Sequence, residues 1–272
     1  MNNTDSGKVF SGSIPRLYEE YLVPLIFQSY ADDLVARLAS RRLGRVLEIA
    51  AGTGVVTRGL AASLPDTVSI VATDLNQAML DLAAMTGTRR PVEWRQADAM
   101  HLPFADAAFD AVVCQFGVMF FPDKAGAFQE ARRMLAPGGL FLFNVWDRIE
   151  ENEFACTATE ALAEMFPQDP PRFMARTPHG YHDLALIGRD LKLGGFQSQP
   201  RITTVPTRSR ASSARIPAIA YCQGTPLRNE IESRGGSRLT EATQVVESAI
   251  AQRFGTDVVV GKIQAHVISI EL

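Results

Sequence analysis

The sequence has little of what marks several classes of protein. Only three cysteines occur among 272 residues, Cys114, Cys156 and Cys222. They are too few and too far apart for a disulfide framework or a zinc cluster. Cationic residues are not in excess, since 27 Lys and Arg stand against 30 Asp and Glu for a formal net charge of −3. A protein built mainly to hold nucleic acid needs a cationic surface. We therefore predict no metal site and no nucleic-acid partner.

Long apolar runs are missing too. The longest uncharged apolar stretch, residues 111–122, falls well short of the ~20 residues that a membrane-spanning helix needs. The first residues, MNNTDSGK, contain no apolar segment of the kind that signal peptides have. Hydrophobic residues make up 46% and charged residues 21% of the chain, which is ordinary for a globular protein. We expect a cytoplasmic globular protein without a membrane span.

What the sequence does contain is a regular alternation between residues 45 and 146. Five short apolar runs begin near residues 45, 68, 92, 110 and 140. Segments with apolar residues at three- and four-residue steps follow the first, second and fourth of these runs. Short apolar strands that alternate with helices are typical of a parallel sheet buried on both faces. The sequence therefore predicts an α/β fold with a doubly wound sheet.

The flanking segments are less regular. Pro24 predicts a break or kink between two N-terminal helices, because the residue before a proline is disfavoured in the α region. The Ser- and Arg-rich residues 206–217 predict a loop or hinge. Thr240 is the candidate N-cap of a helix that ends before Gly255.

A turn of small residues follows the first predicted strand, at residues 48–54 (EIAAGTG). Such a turn lets the backbone pass close to a ligand, and the next helix points its N–H groups towards it. Any α/β protein needs a tight connection here, so the turn alone is a weak signal. Asp74 and Asp98, at the ends of the second and third predicted strands, strengthen it. Strand ends of doubly wound sheets line the ligand crevice, where carboxylates accept from ribose hydroxyls or a base amine.

A nicotinamide dinucleotide enzyme is the competing interpretation. Its G-x-G-x-x-G fingerprint has Thr57 at the third glycine here. Glu48, at the end of the first strand, would also face a pyrophosphate and repel it. A carboxylate in that place suits a ligand that carries an amine and no phosphate, such as S-adenosylmethionine.

Five motifs carry a family resemblance, in this order: VLEIAAGTG at 46–54, ATDL at 72–75, QADA at 96–99, LPFADAAFDAVV at 102–113 and LAPGG at 135–139. Together they resemble the class I S-adenosylmethionine-dependent methyltransferases, in the subgroup similar to ubiquinone/menaquinone-biosynthesis-type small-molecule methyltransferases. The resemblance covers residues 45–146. It implies a Rossmann-like, mostly parallel seven-stranded sheet with helices on both faces and helical lid elements. Ala50 departs from the family, which usually has a glycine there.

The resemblance implies two groups of cofactor contacts, one for each end of S-adenosylmethionine. At the methionine end, Glu48 serves the amino-acid group and Gln115 presents its carbonyl to the ammonium. Gly52 lets the cofactor approach the backbone, in the turn that also contains Ala50 and Thr53.

At the adenosine end, the resemblance assigns Asp74 to the ribose diol. Leu75 and Met79 pack on adenine. Asp98 accepts from the adenine amine, and Ala99 donates its backbone N–H to the ring.

The resemblance also implies one methyltransferase domain over residues 1–272. Within it we predict an N-terminal helical lid at 13–42 and a cofactor-binding core at 43–147. Lid insertions follow at 148–256, with a sixth strand near 200–205. A closing strand occupies 257–272.

The implied reaction transfers a methyl group from S-adenosylmethionine to an O, N or C atom of a small organic, partly apolar acceptor. The residues capable of acting as a general base are Tyr18, Tyr21, His101, His179, Tyr181 and His182. None stands out, and the sequence assigns no catalytic residue. Two alternatives stay open at this point: a non-catalytic cofactor-binding or regulatory protein, and an NAD-dependent oxidoreductase.

Overall fold

The computed structural model describes residues 12–235 and 237–272. The N-terminal residues on which the signal-peptide prediction depends lie outside this range. Contacts divide the chain into two compact units. We call the first the core unit; it comprises Gln28–Val145, Tyr181–Val205 and Ala265–Leu272. The second unit comprises Met1–Phe27, Trp146–Gly180 and Pro206–Gln264.

Seven strands form one sheet in the order β3-β2-β1-β4-β5-β7-β6. Their bounds are β1 Arg45–Glu48, β2 Ser69–Asp74, β3 Glu93–Gln96, β4 Phe109–Gln115, β5 Leu135–Trp146, β6 Arg201–Ala211 and β7 Val259–Glu271. Strand β1 pairs in parallel with β2 and β4, β2 with β3, and β4 with β5. The predicted α/β, mostly parallel seven-stranded sheet is confirmed.

Helices connect these strands as the alternation predicted. The α-helices are α1 Ile14–Leu17, α2 Gln28–Ala39, α3 Val55–Ser63, α4 Gln77–Thr86, α5 Lys124–Met134, α6 Glu153–Met165, α7 Phe173–Arg176, α8 Leu184–Leu193, α9 Arg215–Gln223, α10 Leu227–Ser233 and α11 Leu239–Phe254. A π-helical segment covers Tyr18–Phe27, and 3-10 turns cover Val118–Phe120 and Ile149–Glu151. Helices α3, α4 and α5 follow β1, β2 and β4.

An aromatic cluster anchors β5 in the core unit. Phe141 and Phe143 on β5 pack against Phe128 of α5, with ring centroids 5.7 and 5.4 Å away. Phe196 stacks on Phe141 at 5.9 Å. Burial of each such ring contributes roughly 1.5–3 kcal/mol. Because side chains alternate along a strand, Asn144 points away from this cluster to the other face of the sheet.

Of the predicted break or kink at Pro24, the structure excludes the break. Pro24 lies inside the π-helical segment Tyr18–Phe27 of the second unit. A proline breaks an α-helix because it lacks an N–H and its ring meets the carbonyl four residues earlier. In a π-helix the partner is five residues earlier and the turn is wider, which accommodates the ring.

The predicted loop at 206–217 is also wrong. Strand β6 continues to Ala211, and α9 begins at Arg215. Strand β6 is last in the sheet order, and an edge strand tolerates Pro206 because one row of its N–H groups faces no partner. Pairing with β7, far away in sequence, overrides the loop-like composition. The sixth strand is therefore longer than the predicted 200–205.

Helix α11 differs from its prediction at one end only. Its N-cap is Arg238 rather than Thr240, and its C-cap is Gly255 with φ of +101° as expected. Helices α9 and α10 had no counterpart in the sequence prediction.

The predicted division into lids and core remains a prediction. Helices α2 and α8 belong to the core unit, although both fall in predicted lid segments. Within the described ranges, no helix is long and apolar enough to cross a bilayer. The same residues contain no group of three or more His, Cys, Asp or Glu side chains arranged to hold a metal ion.

Candidate cofactor site

The predicted site residues lie at the carboxyl ends of neighbouring strands of the core unit. Glu48 ends β1 and Asp74 ends β2, as predicted, and Gln115 ends β4. Strand β3 ends earlier than expected, at Gln96, so Asp98 lies two residues beyond it, in an isolated bridge with His101. Parallel strands have their carboxyl ends at one edge of the sheet, where doubly wound folds bind ligands.

Glu48 is a buried carboxyl group, with 1% of its surface exposed. Its pKa is raised to about 8, mainly by burial; a hydrogen bond from Thr57 lowers the pKa and the nearby Asp74 carboxylate raises it, both by less than burial does. The Thr57 hydroxyl donates to Glu48 Oε2. Thr57, which replaces the third glycine of the dinucleotide fingerprint, is therefore a hydrogen-bond partner of Glu48. A cationic ligand bound next to a buried, protonated carboxyl group lowers its pKa and favours its ionised form.

The turn after β1 is built from left-handed residues. Ala50 has φ of +54°, Gly52 +57° and Gly54 +82°. The N–H of Ala51 donates to the Thr73 carbonyl at 2.9 Å, which joins the turn to β2. A β-carbon added at Gly52 would meet no atom within 4 Å. The turn is therefore open on this side, as a close backbone approach by a ligand requires.

Replacing Ala50 by glycine is expected to stabilise the protein by about 0.5–1 kcal/mol. The left-handed conformation costs an L-residue about 1–2 kcal/mol, and glycine avoids this at an entropic cost of about 0.5–1 kcal/mol. Urea unfolding of both proteins measures the difference. A loss of stability would contradict this strain and show that contacts of the Ala50 methyl group outweigh it.

Asp74 is half-buried and held by backbone N–H groups. Its Oδ2 accepts from Gly52 and its Oδ1 from Asn76, both at 2.8 Å. Burial raises the pKa of Asp74, while the N–H groups of Asn76, Gly52 and Leu75 lower it. Each carboxylate oxygen has two lone pairs. The carboxylate is therefore fixed in place and still able to accept from two hydroxyl groups of a ligand.

The residues predicted to contact adenine differ in how far they are exposed to solvent. Leu75 is 38% exposed and Met79 only 4%. Asp98 Oδ1 accepts from the Met100 N–H at 2.9 Å, so this carboxylate also caps its own turn. Ala99 is buried. The adenine contacts stay predictions.

The donor set fits S-adenosylmethionine. Thr53 is 1% exposed, and its hydroxyl oxygen has no hydrogen-bond partner in the part of the chain that the structure describes. Buried polar atoms are normally paired, so this hydroxyl points to a polar ligand or water. Carboxylates at the ends of β1 and β2 suit an ammonium, a sulfonium and a ribose. They do not suit a pyrophosphate.

Three of the candidate bases belong to the core unit. The His101 side chain is 81% exposed. The Tyr181 hydroxyl donates to Asp190 at 2.9 Å, and burial, with the Asp190 hydrogen bond, raises the pKa of Tyr181 far above its usual range. His182 is half-buried. Tyr181 is therefore a poor base.

The other three candidates belong to the second unit. His179 is buried, and its Nδ1 lies 2.8 Å from the Asp147 carbonyl. Tyr18 stacks on Phe27 with centroids 4.9 Å apart. A hydrogen bond with Glu20 is the main cause that raises the pKa of Tyr21. None of these contacts singles out a base, and no catalytic residue is assigned.

Comparison with known proteins identifies a domain in this chain. Residues 47–143 match the family model described as "Methyltransferase domain". This segment is therefore a methyltransferase domain, as its motifs predicted. The matched residues include the last two residues of β1, all of β2, β3 and β4, and most of β5.

Individual relatives agree. Ubiquinone/menaquinone biosynthesis C-methyltransferase UbiE of Teredinibacter turnerae is 35% identical over 138 residues, which are 49% of this chain and 51% of that protein. The chain thus spans about half the length of this curated relative.

Solved structures share the fold of this chain. Phosphoethanolamine N-methyltransferase 2 of Haemonchus contortus, solved with phosphomonomethylethanolamine and S-adenosylhomocysteine, superposes with a TM-score of 0.58 at 17% identity, covering 99% of this chain and 58% of that one. The [4+2]-cyclase SpnF superposes with a TM-score of 0.54 at 18% identity, covering 90% and 81%. At these identities the likeness concerns the fold alone.

Two residues at the carboxyl-end edge of the sheet were missed by the sequence reasoning. Thr57 was seen only as a missing glycine, although it donates to Glu48. Asn144 was read as part of an apolar strand, yet it is a fully buried amide at the end of β5. A polar residue inside the run FLFNVW was the available signal for Asn144, because buried amides need hydrogen-bond partners.

Proposed function

We propose that this chain transfers a methyl group from S-adenosylmethionine to an O, N or C atom of a small organic, partly apolar acceptor. One observation carries the proposal. The buried carboxyl group of Glu48 lies at the end of β1, next to the open turn that follows this strand. Both belong to the segment that matches the methyltransferase domain. The Asp74 carboxylate is hydrogen-bonded to that turn.

The residues have distinct tasks in this proposal. Bound S-adenosylmethionine supplies an electrophilic methyl group on a sulfonium. Glu48 balances positive charge at the methionine end, and the Gln115 carbonyl accepts from the ammonium. Asp74 holds the ribose, and Asp98 the adenine amine. Methyl transfer is an in-line displacement, so the protein contributes mainly by aligning the reactants and excluding water.

The acceptor is proposed to have an apolar body. The Teredinibacter relative is named for ubiquinone and menaquinone biosynthesis, and demethylmenaquinone methyltransferases are among the other relatives, such as that of Deinococcus radiodurans at 40% identity over 97 residues. Beyond β4, Phe116, Val118 and Met119 are buried and Phe120 is 36% exposed. Most of this apolar run therefore belongs to the core, and Phe120 is its best candidate for contact with an acceptor.

The test combines binding with turnover. S-adenosylhomocysteine is expected to raise the melting temperature, and S-adenosylmethionine with a labelled methyl group is expected to label a product from a panel of phenols, hydroquinones and amines. Stabilisation by NADH instead would favour the oxidoreductase. Cofactor binding without any labelled product would favour the non-catalytic alternative. Turnover is needed because a protein of this fold is described as a [4+2]-cyclase.

A cytoplasmic location is part of the proposal. It is supported by the cysteines, all three of which are free thiols, two of them buried. Reduced thiols are the normal state in the cytosol.

A further inference from the structure

Strand β4 ends in a strained turn. Phe116, the residue after Gln115, has φ of +49°, a left-handed conformation that residues with a β-carbon rarely adopt. Such strain persists only where the surrounding structure enforces it, and it concentrates at functional sites. The turn matters here because its first carbonyl, that of Gln115, is the group proposed to accept from the methionine ammonium.

One side chain holds this turn from the neighbouring strand. Asn144 lies opposite Gln115 in the parallel register of β4 and β5. Its Oδ1 accepts from the Phe116 N–H at 2.8 Å. Because a backbone N–H can only donate, this contact also establishes which amide atom is the oxygen.

The amide nitrogen of Asn144 makes no hydrogen bond of this kind within the described residues. Asn144 is completely buried, and its Nδ2 has no hydrogen-bond partner among residues 12–235 and 237–272. Burying an unpaired N–H2 group is costly. An asparagine at this place is therefore explained by its oxygen and by the Phe116 N–H that the oxygen binds.

The rest of the turn is packed around this hydrogen bond. The Tyr30 ring meets the Phe116 ring edge-on, with centroids 5.3 Å apart. A β-carbon at Gly117 would lie 2.5 Å from that of Ala50 and 2.7 Å from Cys114 Sγ. The turn after β4 is thus pressed against the turn after β1 that contains the cofactor-binding candidates.

We propose that Asn144 is a positioning residue for the methionine end of the cofactor: its side-chain oxygen holds Phe116 in the left-handed conformation, which sets the direction of the Gln115 carbonyl. The inference rests on the proposed function. Without the Asn144 oxygen, Phe116 relaxes towards negative φ and the carbonyl turns away from the ammonium. The adenosine end, held from β2, is unaffected.

Two ligands separate this role from a purely structural one. S-adenosylhomocysteine has the amino-acid group, whereas 5′-methylthioadenosine has the same adenosine and lacks it. In Asn144→Leu, which removes the oxygen and keeps the branching at Cγ, calorimetry is expected to show about tenfold weaker binding of S-adenosylhomocysteine. Binding of 5′-methylthioadenosine is expected to stay within about twofold. Asn144→Asp keeps an oxygen for the Phe116 N–H and is expected to restore S-adenosylhomocysteine binding to within about threefold.

Each contrary outcome has its own meaning. Equal weakening of both ligands in Asn144→Leu, or failure of Asn144→Asp to restore binding, would overturn the positioning role. If Asn144→Leu does not fold, Asn144→Ser, too short to reach the Phe116 N–H, is measured instead with the same expectation. If the unaltered protein binds neither ligand, the proposed cofactor itself is wrong, and that result differs from any effect of Asn144.

Discussion

Asp74→Ala is expected to weaken binding of S-adenosylhomocysteine about 100-fold. A carboxylate that accepts from two ribose hydroxyls makes two charge-assisted hydrogen bonds, and losing them costs about 3 kcal/mol. The substitution also removes the acceptor of the Gly52 and Asn76 N–H groups, so the turn that receives the ligand loses its anchor. Isothermal titration calorimetry measures the affinity directly.

Two variants control this experiment. Asp81→Ala removes an exposed carboxylate of α4 that accepts from the Gln77 side-chain amide at 2.7 Å, and it should leave affinity unchanged. Asp74→Asn keeps one oxygen and should bind with intermediate affinity. Because ribose is common to both ligands, Asp74→Ala should weaken 5′-methylthioadenosine as much as S-adenosylhomocysteine. Affinity within threefold of the unaltered protein would remove Asp74 from the ribose site.

Glu48 is expected to make the free protein less stable as pH rises from about 5 to 8. Its pKa is raised from 4.5 to about 8 by burial, so the folded state holds a proton in this window that the unfolded state has lost. The sign is therefore a loss of unfolding free energy with rising pH, of about 1.4 kcal/mol per pH unit. Above the folded pKa the loss is complete and the curve is flat again.

Glu48→Gln isolates this contribution. Glutamine has nearly the same shape, can still accept from Thr57 and does not ionise. Urea unfolding at several pH values between 5 and 8.5 should show similar stabilities at pH 5. By pH 8 the variant should be the more stable protein by about 3 kcal/mol. Parallel pH curves for the two proteins would refute a buried, protonated Glu48.

The same substitution tests the charge role in the proposed function. A cationic ligand favours the ionised carboxylate, so affinity of the unaltered protein for S-adenosylmethionine should rise with pH up to about 8. Glu48→Gln should bind more weakly and lack this pH dependence. A variant that binds as tightly as the unaltered protein would show that Glu48 does not compensate the cofactor's charge.

Local sequence determined the core of this protein to a large extent. The ends of β1 and β2 were predicted at Glu48 and Asp74, because short apolar strands that alternate with helices leave a recognisable pattern. The match to the methyltransferase domain, residues 47–143, lies within the segment 45–146 to which the motifs assigned the resemblance. Prediction was weaker where long-range contacts decide, as in β6, whose Ser- and Arg-rich sequence forms a strand only beside β7.

Composition and motif order alone therefore determined the fold class, the ends of β1 and β2 and the presence of a methyltransferase domain. These depend on burial patterns and turn residues that act over a few positions. The tertiary structure alone decided that Thr57 serves Glu48, that Pro24 stays within a helix and that Asn144 holds Phe116. Each of these depends on which residues come into contact across strands or turns. Each also depends on how buried a group is, because burial raises the free-energy cost of a charge or an unpaired N–H. No local pattern encodes those quantities, because they arise only once the sheet has assembled.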